Sequence, residues 1–314
     1  MVTLFVRDLI VQYESGGKAV NAVDGLSFSL EDNESIGIVG ESACGKSTLG
    51  LAIVRSVPGG RVVSGDIRLD NRSILNMSEE EFASNIRWKK IAMVFQGAMN
   101  SLDPVFSIKQ QFEEILQVHG YCGDSAKTIN DAANSVGLPV SVLDKFPHEL
   151  SGGMKQRAVI AIALLLRPKL VIADEPTTAL DVLVQAQIIS MLKKLKKEGM
   201  SLVLISHDLG IISEISDKVA IMYAGKIVEF GSMREVYSDP KHPYTQALLK
   251  STPKINGESD LISLKGNPPS LASPPAGCRF YDRCPKAKER CKAEPPVTKT
   301  STGHVSCWLY EESK

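Results

Sequence analysis

Residues 40–47 read Gly-Glu-Ser-Ala-Cys-Gly-Lys-Ser and fit the spacing G-x-x-x-x-G-K-[ST]. An apolar strand pattern precedes them and a helical one follows, as a phosphate-binding loop requires. Glycines let the backbone wrap a phosphate, and the N–H groups at a helix start supply positive potential for it. Lys46 adds a point charge toward the β- and γ-phosphates, and the Ser47 hydroxyl is placed to ligate Mg²⁺. A second motif, Lys169-Leu-Val-Ile-Ala-Asp174-Glu175, is an apolar run ending in two carboxylates. A buried strand there carries Asp174 to the C-terminal edge of a sheet, where α/β proteins bind ligands. Asp174 is placed to hold the Mg²⁺ shell and Glu175 to polarise an attacking water. The two motifs together point to hydrolysis of a nucleoside triphosphate.

Three further segments set the class. Leu150-Ser151-Gly152-Gly153-Met154 opens a helix and resembles the signature motif of ABC ATPases, usually L-S-G-G-Q. Val94-Phe95-Gln96 resembles the Q-loop, Ile205-Ser206-His207-Asp208 the switch histidine, and Ala179-Leu180-Asp181 the D-loop of that family. Taken singly, Ser151 also reads as a helix cap, His207 as a capping or core histidine, and Tyr13 as a strand aromatic. Their order around the phosphate motifs carries the resemblance, which covers residues 1 to about 237.

The resemblance implies ATP as ligand, with adenine on Tyr13. Gly40, Glu41, Ser42, Ala43, Cys44, Gly45, Lys46, Ser47 and Thr48 would surround the phosphates, and Ser47, Gln96 and Asp174 the Mg²⁺. Ser151, Gly152 and Gly153 would meet the γ-phosphate held by an opposing subunit. Glu175, His207, Lys46 and Gln96 would carry the hydrolysis. Met154 stands where the family usually has Gln, and Ala43-Cys44 where it commonly has Gly-Ser. Beside Lys46, Cys44 is expected to have a lowered thiol pKa and to be open to alkylation.

Phe95-Gln96-Gly-Ala-Met-Asn-Ser-Leu-Asp103-Pro104, the run from Met222 to Gly231, and His242-Pro243-Tyr244-Thr-Gln-Ala-Leu-Leu249 resemble the ATP-binding subunit of oligopeptide/dipeptide importers. In that branch Met154 is common. Cys278, Cys284, Cys291 and Cys307 crowd the end of the chain without a C-x-x-C pair. The branch carries such a set, which implies a [4Fe–4S] cluster. Zinc and free thiols remain alternatives. The implied partners are a second ABC ATPase subunit (self or paralogue) docked head-to-tail, two transmembrane permease subunits and, indirectly, an external binding protein. Saccharide or nickel import is the alternative cargo, and a soluble non-transport ABC ATPase the alternative role. No heptad run lies between Ser47 and Ser151, which weighs against the second.

The elements that must position these groups follow from pattern. Strands are expected at 3–12, 26–30, 35–39, 170–173, 201–205 and 218–223. Helices are expected from the phosphate loop to about Arg55 and at 108–119, 125–136, 153–166, 183–198 and 208–215. The stretch from about 78 to 166 reads as mainly helical. Alternating strands and helices imply an α/β fold with a parallel sheet. Under the resemblance this is a RecA-like core with a helical subdomain at about 86–166 and an antiparallel β subdomain, residues 1–237 in all. A loop-rich, cysteine-containing extension follows from 238 to 314, where prolines including Pro240, Pro243 and Pro253 break any long element.

Composition sets the outer limits. The 314 residues are 43% hydrophobic and 23% charged, which is ordinary globular usage. Thirty-six basic residues balance 36 acidic ones, which argues against bulk electrostatic binding of nucleic acid or an anionic membrane. Arg7 and Asp8 interrupt the first apolar stretch, so it reads as a strand rather than a signal peptide. The longest apolar run, Ala158 to Leu166, is far short of the ~20 residues that span a bilayer. The expected location is the cytoplasmic face of the cell membrane, held there by permease subunits.

Overall fold

The computed structural model describes residues 2–251 and 266–311, so Pro253 lies outside the described residues. The chain forms two compact units. One contains residues 1–30, 35–75 and 204–314, and the other residues 31–34 and 76–203.

The first unit begins with β1 (Val2–Ser15), β2 (Lys18–Glu31), β3 (Ser35–Val39), α1 (Lys46–Ile53), β4 (Gly60–Leu69) and β5 (Arg72–Ser73). An antiparallel sheet runs in the order β2-β1-β4-β5. Along β1 the buried side chains are Leu4 and Val6, then Leu9 and Val11. The alternation slips by one at Asp8, whose φ is 46° and beside which the register against β4 shifts. One extra residue flips the phase of a strand, so the bulge keeps both apolar pairs inward. β4 was legible only as glycine punctuation, because Gly60 and Gly65 interrupt its pattern. All five residues of β3 are buried, which explains its unbroken apolar look.

The second unit carries α2 (Glu79–Asn85), β6 (Ile91–Val94), α3 (Ile108–Val118), α4 (Ser125–Ser135), α5 (Gly152–Leu164), β7 (Leu170–Asp174) and α6 (Val182–Lys197). Its helices start on side-chain caps. Ser78, Ser107, Asp124, Ser151 and Asp181 each accept a backbone N–H from the first turn. Such a cap contributes about 1 kcal/mol. Ser107 and Gln110 close a reciprocal capping box. The helices expected from periodicity fall within a few residues of those observed. β6 corrects the mainly helical reading of 78–166. Four apolar residues cannot be told from a helical turn by periodicity alone. Its parallel pairing with β7 aligns Val94 with Ala173.

The chain returns to the first unit within β8 (Ser201–Ser206), all six residues of which are buried. There follow α7 (Leu209–Ile215), β9 (Lys218–Tyr223), β10 (Lys226–Ser232), α8 (Met233–Ser238), α9 (Pro243–Ser251), β11 (Val297–Lys299) and β12 (His304–Ser306). Within this unit strands run β11-β12-β10-β9-β3, with β3 and β9 parallel and the others antiparallel. Ala224 and Gly225, at φ 46° and 86°, turn β9 into β10. Two successive positive φ values suit the right-handed twist of a hairpin. Pro243 begins α9 rather than breaking an element, since the first helical turn needs no proline N–H. Pairing of β12 with β10 ties the C-terminal segment into this unit. The architecture is the expected α/β type, with parallel strands, a helical segment and an antiparallel sheet. Among the described residues no helix is long and apolar enough to cross a membrane.

Candidate functional site

In the first unit the loop 40–45 joins β3 to α1. Gly45 caps α1 at φ 102° with no side-chain cap, and no acidic residue occupies the first turn. The helix start therefore keeps its positive end open to an anion. Ala43 is also left-handed, at φ 60°. A Cβ at Gly40 would collide with the Met222 carbonyl, and one at Gly45 with the Ala22 carbonyl, so both positions require glycine. Lys46 is buried to 6% exposure. Its Nζ donates to the carbonyls of Gly40 at 2.8 Å and Glu41 at 2.9 Å. Tyr13 lies near the helix, with its hydroxyl 3.5 Å from Thr48 Oγ1. A cavity of about 440 Å³ is lined by Tyr13, Glu41, Cys44 and Tyr223 on one part and by residues 268–272 on another. His207 is exposed just past β8, and the next residue, Asp208, caps α7.

Cys44 departs from the sequence expectation. Its side chain is 3% exposed, and burial pushes the thiol pKa up despite the opposing charge of Lys46. Desolvation of a thiolate outweighs the nearby ammonium here.

In the second unit the β6–β7 register brings together residues far apart in sequence. Asp174 is buried at the end of β7. Glu175 follows at φ 46°, a left-handed turn of the kind found where a site fixes a side chain. Its Oε2 accepts from Gln96 Nε2 at 3.1 Å and from Thr178 Oγ1 at 2.9 Å. Gln96 thus stands on the acid expected to do the chemistry. Ser151 caps α5, its Oγ accepting from Met154 N–H at 3.4 Å. Gly153 packs so close to Val184 that a Cβ would lie 2.8 Å from its methyl. Around this helix start Met154, Val182 and Leu183 are exposed, the last two at 82% and 69%.

Sequence reasoning missed a buried polar group in the first unit. Arg283 forks onto the Glu41 carboxylate, and this pairing raises its pKa above the usual arginine range. Tyr244 is fully buried with its hydroxyl on the Glu41 N–H at 2.9 Å. His242 is buried and pushed down to about 3 by desolvation. Its Nδ1 accepts the Tyr244 N–H at 3.0 Å, and buried Glu229 accepts the N–H groups of Lys241 and His242. The available signal was the His-Pro-Tyr run, which marked a resemblance without showing what it touches.

The thiols of Cys278, Cys284, Cys291 and Cys307 share one neighbourhood. Burial pushes Cys278 up to about 11, with the other three adding to the rise. Cys278 N–H donates to Cys291 O at 2.9 Å. All four are free of disulfides. Soft thiolates suit an iron–sulfur cluster or Zn²⁺. Among the described residues no group of three or more His, Cys, Asp or Glu is disposed to hold a metal ion. The residues expected from the sequence to hold Mg²⁺ offer a hydroxyl (Ser47) in the first unit and an amide (Gln96) and a carboxylate (Asp174) in the second, oxygen donors of the kind a hard cation takes.

A family model described as ABC transporter matches residues 23–178, and one described as oligopeptide/dipeptide transporter, C-terminal region, matches residues 228–291. The dipeptide transport ATP-binding protein DppD of Caldanaerobacter subterraneus subsp. tengcongensis is 41% identical, over 100% of this chain and 98% of that protein. The oligopeptide transport ATP-binding protein OppD of Bacillus subtilis is 43% identical, over 98% and 88%. Among solved structures, the dimeric post-hydrolysis state of the ATP-binding cassette MJ0796 bound to ADP and Pi aligns with a TM-score of 0.66. It is 25% identical and covers 74% of this chain and 99% of its own.

Proposed function

This chain belongs to the ABC transporter ATPases, in the oligopeptide/dipeptide transporter family, and on that premise we propose that it powers import of oligopeptides or dipeptides. The contact that carries the catalytic part is Gln96 on Glu175. It joins the residue expected to sense the partner to the residue expected to orient water. Lys46 and the N–H groups at the start of α1 bind the phosphates, and Tyr13 stacks the base. The Glu175 carboxylate orients the attacking water and takes up its proton. Ser47, Gln96 and Asp174 would hold Mg²⁺, which neutralises charge on the phosphate oxygens when bound. His207 and Lys46 stabilise the charge that develops on the γ-phosphate.

Two subunits, identical or paralogous, close head-to-tail, each setting Ser151-Gly152-Gly153 on the other's nucleotide. The exposed apolar side chains of Met154, Val182 and Leu183 support a partner at that face. Phe95, Val105 and Phe106, exposed near Gln96 in the sequence, support docking of a permease segment there. The chain then sits at the cytoplasmic side of the membrane through its permeases, and the binding protein acts from outside. Cys278, Cys284, Cys291 and Cys307 hold a [4Fe–4S] cluster in this reading. Four thiolates would supply the ligands that such a cluster needs, and the same set would serve Zn²⁺ in the alternative. Iron, zinc and acid-labile sulfide counted per chain after anaerobic purification test it, and a protein without iron and sulfide, with or without zinc, overturns it.

The test of function is ATP hydrolysis by the native assembly in vesicles, with its binding protein and candidate cargo. Stimulation by short peptides is the expected result. Stimulation by a saccharide or nickel, and none by peptides, would move the cargo to the alternative.

A further inference from the structure

Glu41, the second residue of the phosphate loop, is held at three points within the first unit. Its N–H donates to the Tyr244 hydroxyl at 2.9 Å, and its carbonyl receives Lys46 Nζ at 2.9 Å. Its carboxylate is gripped by Arg283, Nη1 to Oε2 at 2.6 Å and Nη2 to Oε1 at 2.9 Å. The Arg283 side chain is only 6% exposed. Nη1 also donates to the Tyr223 hydroxyl at 3.1 Å, and the guanidinium lies over the Tyr223 and Phe280 rings at 5.7 and 6.0 Å. Tyr223, Tyr244 and Phe280 pack against one another with ring centroids 4.7 to 5.4 Å apart. The grip is therefore two-pronged, largely dry and backed by aromatic walls. A lysine reproduces none of that geometry.

Glu41 lines the same cavity as Tyr13. An unneutralised carboxylate there would repel a triphosphate and leave the loop without its side-chain tether. We infer that Arg283 is a positioning residue for nucleotide binding, neutralising and orienting Glu41 so that the C-terminal segment completes the phosphate loop. This rests on the nucleotide-site reading above. Arg283 directly precedes Cys284, and Phe280 stands two residues after Cys278. The fold of the cysteine segment is thereby coupled to ATP affinity.

The experiment compares the full-length wild-type chain with Arg283→Met, Arg283→Lys, Glu41→Gln and the Arg283→Met/Glu41→Gln double variant. Readouts are the Kd for Mg-ATP, KM against kcat in the native assembly, and Tm. Arg283→Met is expected to raise Kd and KM about tenfold with kcat at saturating ATP within about twofold, the signature of a ground-state binding loss. Arg283→Lys falls between. Adding Glu41→Gln to Arg283→Met brings Kd back to within about threefold of wild type, because no unneutralised carboxylate remains in the cavity to repel the phosphates. A purely structural staple predicts the opposite, a lowered Tm and no recovery on adding the second substitution. The proposal is overturned by an unchanged Kd in folded Arg283→Met, by no recovery in the double variant, or by a fall in kcat alone. Should Arg283→Met not fold, Arg283→Lys decides. It is expected to raise the Kd for Mg-ATP at least about threefold at a wild-type Tm, because it keeps the charge and loses the two-pronged grip, and an unchanged Kd refutes the proposal. A wild-type chain that binds no Mg-ATP removes the nucleotide-site reading itself.

Discussion

Glu175→Gln separates the chemistry of the site from its architecture. Oε2 of Glu175 accepts from Gln96 Nε2 at 3.1 Å and Thr178 Oγ1 at 2.9 Å. A glutamine has the same shape, keeps one oxygen to accept from both, and tolerates the φ of 46° no worse than glutamate does. The stability cost is therefore about 1 kcal/mol or less, the scale of one weakened hydrogen bond. The amide cannot take a proton from water. Loss of a positioned general base costs roughly 10²–10⁴ in rate, equivalent to about 3–5 kcal/mol of transition-state stabilisation. The assay is phosphate release at saturating Mg-ATP in the native assembly, paired with ATP binding and Tm. The expected outcome is hydrolysis down at least 100-fold, Kd within about threefold, and an ATP-bound dimer that persists in the closed state. A variant retaining more than about a tenth of the wild-type rate refutes the role of Glu175 as base. Loss of ATP binding at native Tm refutes the division of labour between the two motifs.

Two other tests follow from burial. Because burial raises the Cys44 thiol and covers it, iodoacetamide at neutral pH should label exposed Cys122 at least about tenfold faster than Cys44. Equal rates by peptide mass mapping would restore the activated-thiol expectation. His242 stays neutral in the fold, with its pKa near 3, whereas an unfolded imidazole protonates near 6.5. Between those values the unfolded chain binds the extra proton, so stability falls as pH drops, by about 1.4 kcal/mol per unit for this group. The raised carboxyl of Glu229 acts in the opposite sense, so the comparison is with His242→Asn, which leaves Glu229 in place. From pH 7 to 5 wild type is expected to lose about 2 kcal/mol more than the variant in urea melts. Equal losses would show that the imidazole is not shielded.

The helices of the second unit were legible because 3.6-residue periodicity and cap residues such as Ser107 and Asp181 are local. The phosphate loop was legible because its glycines answer a local steric demand. β4 and β6 were not, since glycine interruption and shortness erase the period of a strand. The neighbours of Cys44 were readable, and so was the sign of the Lys46 effect. Its burial depends on packing from distant parts of the chain and reversed the result. Arg283 gave no signal because its partner stands 242 positions away, a pairing that only the folded chain creates. Gln96 and Glu175 were each recognisable, but their contact needed the alignment of Val94 with Ala173.

The strand β12 has a consequence for how this protein tolerates shortening. β10 hydrogen-bonds to β9 on one side and to β12 on the other. A chain cut after residue 237 would keep every nucleotide motif yet leave one flank of β10 with unsatisfied main-chain donors and acceptors. Such an open border recruits strands from other molecules. The C-terminal segment would thus also guard against self-association, and a truncated ATPase is expected to precipitate in the test tube as well as to bind ATP less tightly for want of Arg283 and Tyr244.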